Sequence, residues 1–143
     1  MLNVIEDNRN EFKIKLNDDF EKEVIAFLNT DGGNVFIGIN DKGNIKENIG
    51  NIDLLQRTIK DRIKDNICPS TLGLFDVVVN ENEGKKYIQV IIAKGNEKPY
   101  YIKGMGMTPD SCFMRIGSSI QSMSMETIIN SFSKRVRNNL KNI

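Results

Sequence analysis

Two charged residues near the start of the chain have the types and spacing that phosphate chemistry requires. Glu11 and Lys13 lie two residues apart in an alternating segment, so a strand would place both side chains on one face. A carboxylate can bind a metal ion, and a neighbouring ammonium can stabilise the charge that develops on a phosphorane. Metal-dependent nucleases use this pairing, which makes the two residues a candidate catalytic site.

Two further acids could join this pair. Glu6 lies five residues before Glu11, and Asp41 ends the predicted central strand, so the three carboxylates could meet at one sheet edge if the two strands are neighbours. Oxygen ligands alone favour Mg²⁺ or Mn²⁺. The alternative is that Glu11 and Lys13 form an ordinary exposed pair and that Asp41 only forms a turn. The candidate metal ligands are therefore Glu6, Glu11 and Asp41, with Lys13 as the electrostatic stabiliser.

The composition excludes several other chemistries. The sequence contains no histidine, so Ser-His and Cys-His nucleophilic schemes and imidazole metal ligation are excluded from this chain alone. Gly33 and Gly38 have the spacing of a Walker loop, but Ile39-Asn40 follows where Lys-Ser/Thr is needed. The only cysteines, Cys68 and Cys112, are far apart and fit reduced core thiols better than a disulfide. A cytoplasmic protein is expected.

A second set of residues could contact nucleic acid. The chain after Thr127 carries four bases and no acid, which fits either a solvated helix face or a surface that contacts phosphate. The segment from Arg115 to Ser119 could hold a phosphate or merely close a strand. Tyr100 and Tyr101 would point to opposite faces if extended, so at most one could stack on a base. The candidate nucleic-acid-binding residues are Lys13, Lys15, Arg115, Ser118, Lys134, Arg135 and Arg137.

The length and charge of the chain set its general class. Its 143 residues suffice for one domain with a sizeable core, so residues 1–143 are predicted to form a single unit. The net charge of +1 neither predicts nor forbids a polyanionic partner. No apolar run approaches the roughly 18 residues of a membrane span, and acids stand where a signal peptide needs bases. We therefore expect no membrane partner and no export.

Hydrophobic periodicity predicts the elements that would position these residues. Residues 11–16 alternate as a half-buried strand, with Phe12 facing the core and the charged side chains facing outward. A helix capped by Asp18 and Glu21 follows. Gly32-Gly33 then gives a left-handed exit into a strand over residues 35–40, which is apolar at every position except its glycine and its final Asn40.

The second half of the chain predicts two helices and three further strands. Apolar residues at four-residue steps predict a helix over residues 55–67, which ends before Pro69. Residues 74–79 and 87–93 form a predicted hairpin with a polar loop, and residues 111–116 form the last strand. Ser124 is predicted to cap a terminal helix. The result is an α+β fold, with a mixed, mainly antiparallel sheet and about three packing helices.

Three sequence motifs resemble those of a known family. They are Glu11-Phe12-Lys13, the core "AfxNTxGGxxxiGixDxG" that begins at Ala26, and "fxRxGSS" that begins at Phe113. In their order and spacing they resemble the Schlafen AlbA_2 family, from Glu6 to about Met125. The resemblance implies an N-terminal, nucleic-acid-binding module of bacterial transcriptional regulators, which continue into a further domain absent from this sequence.

The Schlafen branch of the family implies a different activity. The resemblance to this branch implies a U-shaped core that is built from two such lobes and cleaves transfer RNA with three acidic residues. Glu6, Glu11 and Asp41 are the positions in this sequence that match those acids. A homodimer could supply the second lobe. The leading hypothesis is thus a DNA- or RNA-binding regulator domain that needs no cofactor and is not an enzyme. The alternatives are a Mg²⁺- or Mn²⁺-dependent endoribonuclease and a dimerisation or sensory module.

Overall fold

The computed structural model describes the backbone of residues 4–141 and the side chains of residues 4–135. The strands are β1 (Asn10–Lys13), β2 (Gly33–Ile37), β3 (Ile67–Cys68), β4 (Phe75–Asn82), β5 (Lys85–Ile92), β6 (Tyr101–Ile102), β7 (Phe113–Ile116) and β8 (Ser119–Ser122). The helices are α1 (Phe20–Leu28), α2 (Ile52–Asn66) and α3 (Met125–Lys141). The predicted α+β fold is confirmed.

The main sheet has four strands in the order β1-β2-β5-β4. β1 pairs with β2 in parallel, and the other two pairings are antiparallel. Two small two-stranded sheets, β3-β6 and β7-β8, complete the described strands. β1 therefore forms one edge of the main sheet.

One face of the main sheet carries the large core. Val35 and Ile37 of β2 pack on this face with the apolar stripes of α1 and α2, including Phe27 and Ile63. A smaller cluster on the opposite face contains Phe12 with Phe36, Ile39 and Tyr87. The sheet thus buries apolar side chains on both faces, as expected for an apolar central strand.

The orientation of β1 differs from the prediction. The parallel register aligns Glu11 with Val35 and Lys13 with Ile37, so both charged residues lie on the face of the large core. The prediction that the charged side chains face outward was wrong, because Phe12 packs in the smaller cluster on the opposite face of the sheet. The strand also ends at Lys13, and Ile14 is exposed.

The ends of the elements follow local signals with two exceptions. Gly32 has a φ of 73°, which confirms the predicted left-handed exit from α1. The backbone amide of Thr127 donates to Ser124 Oγ over 3.2 Å, which confirms the predicted cap of α3. Asp19, not Asp18, precedes α1, and it forms no side-chain cap hydrogen bond. The carboxylate of Glu21 instead accepts hydrogen bonds from Arg62 and Asn66 of α2.

The loop and strand predictions near the two hairpins were incomplete. The predicted polar loop between β4 and β5 shrinks to a turn at Glu83-Gly84, both with positive φ, as the twist of a tight hairpin requires. β8 was not predicted, because its residues Ser119–Ser122 are mostly polar. In the part of the chain that the structure describes, no helix is both long and apolar enough to span a bilayer.

Candidate functional site

A pocket of about 480 Å³ opens at the edge of the main sheet beside β1. We call it the carboxylate pocket, and its lining residues are Glu6, Glu11, Phe12, Lys13, Asp19, Lys22, Glu23, Asp41, Phe113, Ile120 and Ser122. Five of these side chains are carboxylates and two are ammoniums. The structure therefore brings together all four residues of the predicted catalytic set.

The backbone of β1 explains why these side chains meet. The carbonyl of Lys13 accepts hydrogen bonds from the amides of Gly38 and Ile39, which ties the end of β2 to the end of β1. The turn that contains Asp41 follows directly. At the other end, the amide of Phe12 donates to Glu6 Oε1 over 3.1 Å and holds the N-terminal segment against the strand.

Lys13 is engaged by α1. Its Nζ lies 2.7 Å from Oε1 of Glu23, and the two side chains are 9% and 5% exposed. Burial raises the pKa of Glu23 in spite of the opposing effect of Lys13. Since the ammonium of Lys13 already has a buried partner, direct contact with a phosphate would have to compete with that ion pair.

Arg115 is buried and faces Glu11. One of its terminal nitrogens donates to Glu11 Oε1 over 3.1 Å, and the other donates to the carbonyl of Asp7 over 2.6 Å. The guanidinium lies 4.5 Å from the ring centroid of Phe27, and the residue is only 5% exposed. The predicted contact of Arg115 with phosphate does not fit this placement, because its charge is directed into the protein.

A sequence signal for the burial of Arg115 was available. Arg115 lies two residues after Phe113, so it shares the face that the phenylalanine buries in the core. The same alternation leaves Ile116 and Ser118 exposed at the β7-β8 turn. Among the described polar atoms, Nε of Arg115 is buried without an acceptor, and the guanidinium lies over the ring of Phe27.

Glu11 is the most strongly perturbed acid of the pocket. Burial raises its pKa to about 8, and the hydrogen bond with Glu6 acts in the same direction, while Arg115 opposes both effects. Two carboxyl groups in contact share a proton more readily than they hold two charges. Burial and the neighbouring Glu6 thus favour the protonated form of Glu11.

The donor atoms suit a hard divalent cation, but their spacing does not complete a site. Carboxylate oxygens are the preferred ligands of Mg²⁺ and Mn²⁺. Among the side chains of residues 4–135, however, no three acid, thiol or imidazole groups are close enough to hold one metal ion. Asp41 in particular lies in an exposed turn.

The remaining predicted nucleic-acid residues lie elsewhere. Lys15 and Ser118 are exposed and line neither the carboxylate pocket nor the pocket described next. Tyr100 is fully buried, so its ring belongs to the core and cannot stack on a base. The side chain of Arg137 lies outside the described residues.

Lys134 and Arg135 line a second pocket of about 420 Å³. We call it the basic pocket, and its lining residues are Asn29, Lys94, Gly95, Asn96, Lys98, Ser131, Lys134 and Arg135. Within the described side chains, four cations and no carboxylate line it. Lys94 and Lys98 were not predicted, because nothing in the sequence places their loop beside α3.

Comparisons with known proteins agree with this fold. The protein is similar to the N-terminal domain of an ATP-dependent DNA helicase RecG-related protein from Nitrosomonas europaea, with 27% identity and a TM-score of 0.58 over 82% of this chain and 84% of that one. It is also similar to the DIP2311 protein from Corynebacterium diphtheriae, with 22% identity and a TM-score of 0.57 over 81% of this chain. The match covers only 22% of the Corynebacterium chain, and at this identity it shows the fold alone.

A search of curated proteins found no significant match. The family model described as Schlafen, AlbA_2 matches residues 6–124, from the first acid of the carboxylate pocket to the cap of α3. Since this match covers most of the sequence, the chain belongs to the Schlafen AlbA_2 family.

Proposed function

We propose that this chain is the nucleic-acid-binding domain of a bacterial transcriptional regulator. Its family and its likeness to the N-terminal domain of a DNA helicase-related protein support a nucleic-acid-related role. The charge distribution then favours binding at one end of the molecule. Phosphate groups would be repelled by the carboxylate pocket and attracted by the basic pocket.

The observation that carries the proposal is the composition of the basic pocket. Lys94, Lys98 and Lys134 converge there from a loop and a helix that are distant in sequence. The two cations first expected to contact phosphate, Lys13 and Arg115, instead contact the largely buried side chains of Glu23 and Glu11. The basic pocket is therefore the stronger candidate for contact with a polyanion.

The experiment is a salt titration of binding to fluorescent single-stranded DNA, double-stranded DNA and RNA, measured by anisotropy. If three phosphates are neutralised, a fourfold rise in salt should weaken binding by about 20- to 40-fold, because released counterions oppose association. Measurements on the three polymers would also identify the preferred one. An affinity that does not change with salt concentration, or no binding to any polymer at low salt, would refute the proposal.

A second candidate function is a divalent-cation-dependent endoribonuclease. The observation that favours it is that Glu6, Glu11 and Asp41 line one pocket beside Lys13. The test is cleavage of transfer RNA with added Mn²⁺ by the wild-type protein and by Glu11→Gln. Glu81→Gln, on an exposed position of β4, is the matched control. Cleavage that survives Glu11→Gln would exclude the carboxylate pocket as its site.

A further inference from the structure

We infer that the basic pocket is a binding site for a single phosphate group. In so far as that phosphate belongs to a nucleic-acid strand, the inference rests on the proposed function. Three ammonium groups around a concavity suit a compact anion with more than one charge, such as the phosphate at a strand end. A flat basic stripe would instead follow an extended backbone. The volume of about 420 Å³ lies within the range of small-ligand sites.

Arg135 builds one wall of the pocket. Its guanidinium donates to the carbonyls of Lys98 and Pro99, each over 3.1 Å, and to the carbonyl of Glu97. These bonds fasten the loop at residues 97–99 to α3, so that Lys98 and Lys134 line the same pocket. Because the donors of Arg135 are directed at carbonyls, we treat it as a positioning residue.

The other wall is held by the core. The amide of Gly95 donates to the carbonyl of Leu28 over 2.8 Å, and the amide of Glu97 donates to the hydroxyl of Tyr100 over 3.1 Å. A Cβ at position 95 would lie 2.2 Å from Cε1 of Tyr100, so only glycine allows this close approach. The loop is therefore fixed before any ligand arrives, which lowers the entropy lost on binding.

The three lysines form no ion pair within the part of the chain whose side chains are described. Among the described residues, no carboxylate lies within 4.0 Å of their ammonium groups, since none of the five ion pairs includes them. Nζ of Lys98 donates to the carbonyl of Thr30 over 3.1 Å. Burial, and then the positive charges of Lys94 and Lys134, lower the pKa of Lys98, while Asp31 opposes them. A phosphate would relieve this mutual repulsion.

The first experiment tests the pocket without nucleic acid. Inorganic phosphate is added to ¹⁵N-labelled protein, with sodium chloride of matched ionic strength as the reference. We expect saturable shifts of the amides of Gly95, Asn96 and Ser131, and none around Glu11. Shifts that are absent, or that spread evenly over all exposed lysines, would overturn the inference.

The second experiment uses strands with a 5′-phosphate, a 3′-phosphate or no terminal phosphate. Binding is measured for wild type, for the double variant Lys94→Gln/Lys134→Gln and for the control Lys60→Gln/Lys64→Gln, which alters two exposed lysines of α2. We expect the Lys94/Lys134 variant to bind about tenfold or more weakly with a shallower salt dependence, and the control to match wild type. Unchanged amide spectra elsewhere would show that both variants fold.

The outcomes separate the inference from the proposed function. A preference for phosphorylated ends that the Lys94/Lys134 variant loses would assign the pocket to a strand end. Weaker binding of all strands alike would assign it to an internal phosphodiester. Equal binding by both double variants and wild type would refute the phosphate site and show that nucleic acid binds to another surface of the protein. Phosphate shifts at Gly95 without binding of any strand would retain the site and refute the proposed function.

Discussion

Replacing Glu11 by glutamine should stabilise the protein above neutral pH. The Glu11 side chain is 15% exposed and pairs with Arg115. Burial, with Glu6 acting in the same direction, raises its pKa from 4.5 to about 8. The folded protein therefore keeps a proton that the unfolded chain releases. Glutamine reproduces the shape of the protonated carboxyl group and cannot ionise.

The sign and size of the effect follow from proton linkage. A carboxyl group whose pKa is raised on folding contributes stability that is fully present below pH 4.5 and is lost as the pH rises through about 8. Over this span of roughly 3.5 pH units, at about 1.4 kcal/mol each, the upper limit is about 5 kcal/mol. The pocket opens to solvent, which screens the charge, so we expect about 1–2 kcal/mol in favour of Glu11→Gln at pH 8.

The assay is urea unfolding, followed by far-UV circular dichroism, at several pH values between 4.5 and 8.5. The absence of histidine from the sequence makes the measurement clean, because no imidazole titrates in this window. The difference between Glu11→Gln and wild type should grow as the pH rises, and the exposed control Glu81→Gln should show no such trend. A difference that stays constant over the whole range would refute the argument.

Three further substitutions test contacts that hold the two pockets in place. Asn29→Ala removes buried hydrogen bonds to the N–H and carbonyl of Tyr100 and should lower the free energy of unfolding by about 2–4 kcal/mol, measured with urea. Gly95→Ala drives a methyl group into Tyr100 and should lose about 2 kcal/mol or more, seen as a lower melting temperature. Arg62→Met breaks the partly exposed pair with Glu21 and should lose about 1–2 kcal/mol at pH 7. Burial alone would raise the pKa of Glu21, but its hydrogen bonds outweigh this effect and hold the pKa below its usual value of 4.5. The stability lost in Arg62→Met should therefore vanish as the pH falls below 4.5, where the carboxylate of the wild type becomes protonated.

Local sequence signals predicted the elements well where neighbouring residues alone decide the outcome. The four-residue steps from Leu55 to Ile63 gave α2, and Gly32 gave the left-handed exit that its φ of 73° confirms. Ser124 caps α3 as expected. Each of these features depends on residues within one or two helical turns.

The orientation of β1 could not be predicted in the same way. Alternation shows that the two faces of a strand differ, but it does not show which face the larger core will cover. On the core face, Glu11 and Lys13 contact Arg115 and Glu23. One of these partners lies about a hundred residues away in the sequence, so the pairing is a tertiary event.

The two pockets also differ in how far the sequence predicts them. Glu6, Glu11 and Asp41 were expected to meet if β1 and β2 were neighbours, and the structure places them in one pocket, although their role stays a prediction. The basic pocket depends instead on the docking of α3 through Arg135. That docking has no signature in the spacing of Lys94 and Lys98.

The arrangement of the pockets makes the two candidate functions separable. Asp19 and Glu23 at the start of α1 line the carboxylate pocket, whereas Asn29 at its end lines the basic pocket. A nine-residue helix is about 14 Å long, which exceeds the screening length of roughly 8 Å at physiological salt. The charge state of Glu11 should therefore have little influence on a phosphate held by the lysines. A substitution in one pocket consequently reports on one function, and strand affinity and carboxylate chemistry can be assigned independently.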